Sequence, residues 1–296
     1  MTQTLIAILV VLALSHYAPE FTRVRRFDWL PAWAERARRL LPERSWSGPG
    51  LLWAVLGLPL LVVLLVQGLL ANPGVPALLL LLFGAAALFY VWGPRDLDRD
   101  VERIAATPPA EQPAQAATRL AATPPAQPGD AAGMVAAAAQ KRWFGPLLWF
   151  VILGAVGAVG YRLLQLAADG DIESLTAEQR AAAGRLRDLL DWPVAQLMVL
   201  ALAVATDFDQ VLTTWKARAA AAGGALAIDP GLVPAAARTA VRADLAEAGE
   251  SELPPDGEPG SLDAAPVLRD ALAVIRRVLV VWLSLLALAA LASLLA

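Results

Sequence analysis

The chain has 296 residues, 58% of them apolar and 17% charged, with a net charge of −3 and a mean hydropathy of +0.56. A soluble globular domain carries about 45–50% apolar and about 25% charged residues. The composition excludes a soluble globular enzyme and a disordered chain, and predicts an all-α, polytopic helical membrane protein.

Cysteine is absent, His16 is the only histidine, and lysine occurs only at Lys141 and Lys216. These absences remove thiolate chemistry, Cys- or His-rich metal sites, the HExxH motif and a Walker-type nucleotide loop. We assign no catalytic residue and no metal ligand, and expect no cofactor and no nucleic-acid partner.

Residues 1–50 hold a short apolar segment followed by a basic stretch. Thr2–Pro19 is uncharged with a short apolar centre, and no basic n-region precedes it, so it reads as a short span or embedded half-helix rather than a signal peptide. Over Asp28–Leu41 the residues Trp29, Leu30, Trp33, Ala37, Leu40 and Leu41 fall near one helical face, with Arg36, Arg38 and Arg39 elsewhere. This basic amphipathic helix suits the lipid headgroup layer; the alternative is a helix covering others in a bundle.

Residues 51–92 predict a transmembrane hairpin, Leu51–Ala71 and Val75–Trp92, broken at Asn72-Pro73-Gly74. Trp53 and Trp92 take interfacial positions in this reading. Residues 93–144 form a helical cytoplasmic insert. Here Arg103-Ile-Ala-Ala-Thr-Pro-Pro-Ala recurs as Arg119-Leu-Ala-Ala-Thr-Pro-Pro-Ala. The repeat predicts short helices over Arg95–Ala106, Ala110–Ala122 and Gly129–Lys141, with Thr107 and Thr123 as N-caps; the alternative is drift in an Ala/Pro-rich linker.

Within 145–206 we expect two spans, Gly145–Leu166 and Trp192–Thr206, joined by an outward acidic loop. The second is only about 15 residues, or ~22 Å. Residues 207–277 predict helices over Asp207–Ala222 and Pro230–Ala246, then a mobile acidic linker, Glu247–Pro266. Val278–Ala296 is the last span, giving five plus the possible N-terminal one.

Lysine and arginine cluster in three segments: seven over 23–44, six over 95–142 and seven over 216–277. The Asn72 turn carries none and 167–191 carries three. The positive-inside rule places the three rich segments in the cytoplasm and the C-terminus outside.

Arg162 is the only charge well inside a predicted span, either a functional group or an anchor that snorkels to the outer interface. Tyr161 and Gln165 accompany it. Gly154, Gly157 and Gly160 form a small-residue band for close helix packing, within one chain or in a homo-oligomer, or room for a ligand. Asp188 and Asp191, three apart, share a helix face and fit either Mg²⁺ or capping and solvation, of which we favour the latter.

The order of these features resembles the AmpE family of bacterial inner-membrane proteins over nearly the whole chain. The residues that carry the likeness are Arg142-Trp143-Phe144-Gly145-Pro146-Leu147-Leu148-Trp149-Phe150, Gly160-Tyr161-Arg162, Leu189-Leu190-Asp191-Trp192-Pro193-Val194 and Trp215. The resemblance implies a sensory or regulatory role in cell-wall-recycling signalling and β-lactamase induction. Its implied partners are the lipid bilayer, a cytoplasmic cell-wall-recycling amidase and a muropeptide-like ligand.

The chain is also similar to the CobD/CbiB membrane synthases of cobalamin assembly, which form an amide on a corrin carboxylate. Tyr161-Arg162 and the stretch from Arg185-Leu186 to Asp188-Leu189-Leu190 match that relative. Two departures count against synthase activity. Ala136–Trp143 lacks the relative's acidic run, and Arg187-Asp188 stands where it has paired acids. A small transporter is the remaining alternative, and the least favoured, since the two spans of the first hairpin hold no polar pathway beyond Gln67 and no charge marks the bilayer centre. The candidate ligand-binding set is Tyr161, Arg162 and Gln165, with Arg185, Asp188 and Asp191 at the mouth.

Overall fold

The computed structural model describes residues 2–17, 27–40, 49–92, 97–120, 131–247 and 265–295. Among these residues all regular secondary structure is helical, with no strand. Three helices are long and apolar enough to cross a membrane: Gly50–Leu70, Ala177–Ala205 and Ala265–Ser293. The apolar stretches Gln3–Ser15 and Ala77–Val91 are shorter. The second copy of the Thr-Pro-Pro repeat beyond Leu120 and the acidic linker beyond Glu247 lie outside the described residues, as do Arg23, Arg25, Arg26 and Arg44.

The chain forms two compact units. The first comprises Met1–Pro94, Gly145–Leu190 and Ala287–Ala296. It holds α1 (Thr2–Tyr17), α2 (Trp29–Leu40), α3 (Pro49–Leu70), α4 (Ala77–Val91), α8 (Gly145–Leu153), α9 (Ala155–Asp169) and the start of α10 (Ala177–Ala205). The 22 residues of α3, rich in leucine and valine, make it about 33 Å long. Asn72 ends it by donating from Nδ2 to the carbonyls of Gly68 and Leu69 at 3.0 and 3.1 Å. The expected hairpin turn is therefore present. α1 packs on α4, burying Ala7, Ile8 and Val11 at helical spacing.

Two expectations for this unit change. Leu30, Ala34 and Ala37 of α2 do not face the headgroup layer. They are buried in one core with Leu51, Leu52, Val55 and Leu56 of α3, Leu163, Leu164, Leu166 and Ala167 of α9, and Ile172, Leu175 and Ala183. Trp33 ties α2 to α3, donating from Nε1 to the Val55 carbonyl at 3.1 Å. The bundle reading of this helix is the correct one. Trp53 is exposed, but Trp92 is buried, so only the first can serve an interface.

The second change concerns Gly145–Leu166, which is not one span. Gly154 adopts φ 69°, ψ −149° and divides it into α8 and α9. A side chain is strained there, which is why the break falls on a glycine. The two helices fold back on each other. A methyl group at Gly145 would overlap the Tyr161 ring, and one at Gly157 would overlap the Trp149 carbonyl. In an unbroken helix residues 145 and 161 would stand about 24 Å apart.

The loop after α9 is also shorter than expected. It spans only residues 170–176, and Gly170 at φ 92° closes α9. Thr176 and Gln179 then form a reciprocal capping box: Gln179 N donates to Thr176 Oγ1 at 3.2 Å, and Thr176 N donates to Gln179 Oε1 at 3.0 Å. The stretch Trp192–Thr206, expected as a separate span, falls in a single 29-residue helix that begins at Ala177.

The second unit comprises Arg95–Phe144 and Asp191–Leu286. It holds α5 (Leu97–Ala105), α6 (Gln112–Leu120), α7 (Ala131–Ala139), the rest of α10, α11 (Phe208–Ala221), α12 (Leu232–Glu247) and most of α13 (Ala265–Leu295). The three short helices of the insert and the two after Thr206 thus match their expected ranges within a few residues. Thr107 is not an N-cap. Its hydroxyl donates back to the Arg103 carbonyl at 2.8 Å and finishes α5. Asp207 does cap α11, accepting from Gln210 N at 2.9 Å. α7, with six alanines in nine residues, packs against α12, where Ala236 and Ala240 are buried. It ends in a π turn, Gln140–Phe144.

Candidate functional site

Tyr161, Arg162 and Gln165 come together on α9. Tyr161 and Gln165 are each 1% exposed and Arg162 is 9% exposed. Arg162 Nη1 donates to Gln165 Oε1 at 2.9 Å, one helical turn along. Its guanidinium carbon stands 5.9 Å from the centroid of the Phe27 ring, within cation–π range. Phe27 in turn packs on Tyr90 with centroids 4.6 Å apart, and Trp29 Nε1 donates to the Tyr90 hydroxyl at 2.8 Å. Arg162 is thus buried beside an aromatic ring and an amide.

The expected mouth residues separate. Asp188 is engaged by Arg187 of its own helix at 2.9 Å, and the same Arg187 reaches Asp169 at 2.9 Å. Arg185 is exposed on α10. Asp191 is half-buried and belongs to the second unit, where its carbonyl accepts from Gln140 Nε2 at 3.3 Å. Asp171, in the loop after α9, has its pKa raised. Burial is the main cause and the neighbouring Asp169 carboxylate adds to it, while Arg162 pulls the other way. That opposing pull places Asp171 in the electrostatic reach of Arg162.

Phe27, Asp169 and Asp171 were not singled out from the sequence, and Arg187 was named only as a departure from the synthase relative. Gln67 was, as the one polar group of the first hairpin, but its partner was not. Its Nε2 donates to the Leu153 carbonyl at 3.1 Å, and its Oε1 accepts from Val156 N at 3.2 Å. These are backbone groups that the break at Gly154 releases. One side chain therefore satisfies both the last carbonyl before the break and an amide just after it. Gly160 of the small-residue band faces Leu60, so the band packs helices within the chain.

A second charged constellation lies in the other unit. Asp100, 2% exposed, receives Arg142 Nη1 at 2.9 Å and Arg119 Nη1 at 3.7 Å. Arg142 also donates from Nη2 to the Arg119 carbonyl. Around it, Asp98 pairs with Arg276, Glu102 with Arg269 and Asp244 with Arg277. Arg218 holds Asp229 through two hydrogen bonds of 2.7 and 2.6 Å. Among the described residues no three His, Asp or Glu side chains group as metal ligands. These arginine–carboxylate pairs bind helices together.

No family model matches this chain, and neither does any curated protein or solved structure.

Proposed function

We propose that the chain is a sensory or regulatory protein of a bacterial inner membrane, of the AmpE kind, with arginine-rich segments cytoplasmic. A small anionic ligand, muropeptide-like, binds at Tyr161, Arg162 and Gln165. The cytoplasmic helices report to a soluble partner such as a cell-wall-recycling amidase. The observation that supports this reading is the buried Arg162. A guanidinium in an apolar helical protein is costly, and such groups mark sites that recognise charge. Gln165 and the Phe27 ring stand beside its guanidinium.

The amide-forming synthase is less well supported. Its chemistry calls for free carboxylates, whereas Asp100, Asp169, Asp188 and Asp229 are each paired with an arginine. A transporter with a discontinuous helix would aim the released backbone groups at its substrate. Here Gln67 takes the Leu153 carbonyl and the Val156 amide.

The test is β-lactamase induction by a β-lactam in a host with the recycling-controlled circuit. The gene is left intact, deleted, or restored as wild type, Arg162→Leu or Arg162→Lys, with membrane levels checked by immunoblot. The account predicts that deletion shifts the induction curve and that wild type restores it. Arg162→Leu should fail at normal abundance, and Arg162→Lys should restore part. An unchanged curve on deletion, or full restoration by Arg162→Leu, would contradict it.

A further inference from the structure

Contacts within the first unit fix the direction of α9 against α3. At the start of α9, Val156 and the Leu153–Gly154 break lie on Gln67, in the last turn before the Asn72 turn. Midway, a Cβ at Gly160 would stand 3.3 Å from Leu60. Towards its end, Leu163, Leu164, Leu166 and Ala167 share a core with Leu51, Leu52, Val55 and Leu56 at the start of α3. The two helices are antiparallel. α9 therefore returns to the end of the α3–α4 hairpin on which α2 packs, and Ile172, Leu175 and Ala183 join α2 in the same core. The contact of Gly145 with Tyr161 runs α8 beside the first half of α9 in the opposite direction.

We infer that Gly145–Asp169 is a re-entrant helical hairpin, and that loop 170–176 lies on the membrane face that carries α2. The acidic loop then faces the cytoplasm, not the outside. An apolar bilayer tolerates broken backbone only where its polar groups find protein partners, and Gln67 provides both. Ile152 and Leu153, beside the break, are 56% and 51% exposed, as lipid-facing side chains at a hairpin tip would be. Arg180, Arg185 and Arg187 join the basic side, and the two opposite connections, the Asn72 turn and the Gly154 break, hold neither lysine nor arginine. An anion reaching Arg162 would then come from the cytoplasm. That last consequence rests on the ligand reading above, whereas the hairpin does not.

The cysteine-free chain allows a direct test with single cysteines at exposed positions: Ala32→Cys on α2, Pro73→Cys at the turn, and Ala177→Cys and Glu178→Cys after the loop. Each full-length variant is treated with a membrane-impermeant maleimide in right-side-out and inverted vesicles, with labelling in detergent as the reference. Ala177→Cys and Glu178→Cys are expected to follow Ala32→Cys, with Pro73→Cys showing the reverse preference. Labelling of 177 and 178 with the preference of 73 overturns the inference. So does one preference shared by all four positions, or reaction of 177 and 178 in detergent only. None of these outcomes depends on ligand binding or on β-lactamase induction, so the failure of this inference and that of the regulatory reading are separable.

Discussion

At the scale of the residue, one amide governs the membrane-facing geometry. Gln67 sits among leucines and valines, and both of its hydrogen bonds go to backbone atoms about 90 residues away. Gln67→Leu leaves a carbonyl and an N–H without partners, at about 1–3 kcal/mol for each orphaned group. A lowered thermal midpoint in detergent is the expected result. Gly145→Ala forces a methyl into the Tyr161 ring and should cost about 1–3 kcal/mol by the same measurement. Two carboxylates outside the spans give opposite pH signatures. Asp171 has a raised folded pKa, so its ionised form is disfavoured and its contribution falls as pH rises through that value. Asp171→Asn should raise the midpoint at neutral pH, and the gain should vanish in acid. Asp207 has a lowered pKa, chiefly from the Gln210 amide it caps, so its contribution is present at neutral pH and lost as pH falls through the folded value. Asp207→Ala should lower the midpoint at neutral pH and have less effect in strong acid. The sequence singled out Gln67 and the Tyr161–Arg162–Gln165 group. It could not reveal Phe27 over Arg162, because that contact joins residues 135 positions apart only after folding.

At the scale of the element, punctuation was legible and tertiary breaks were not. The α11 helix follows from Asp207 before an apolar-periodic run and Gly223-Gly224 after it. Proline and alanine similarly delimit α5, α6 and α7. The division of Gly145–Leu166 was missed because a hydropathy window counts glycine as one more small residue. Only the positive φ of Gly154, with Gln67 waiting opposite, distinguishes a hinge from a packing glycine. The repeat at Arg103 and Arg119 places an arginine in the last turn of both α5 and α6. There Arg119 contributes to the Asp100 cluster. Arg142→Met removes the closer partner of a buried carboxylate. Such a loss costs about 3–5 kcal/mol when no other cation compensates, so a loss of that order or less, tempered by Arg119, should appear as early unfolding of the second unit. Hydrogen exchange on α5, α6 and the π turn would locate it.

At the scale of the whole molecule, composition alone anticipated an all-helical chain with helices apolar enough for a membrane. Three helices have the length and apolarity to cross. The arginine count ranks segments by side but does not register whether 145–169 crosses or returns, a difference that reverses the side on which α10 begins. The fold-back at Gly154 is what separates those alternatives, and it also decides which face Arg162 serves. It is tested most directly by disulfide cross-linking in native membranes, which the absence of cysteine makes clean. Leu60→Cys with Gly160→Cys places two thiols where a glycine now meets a leucine side chain, so the pair should close under mild oxidation. Leu69→Cys with Ala167→Cys should not. An unbroken span parallel to α3 would produce the converse, a bridge between 69 and 167 and none between 60 and 160, and would contradict the account.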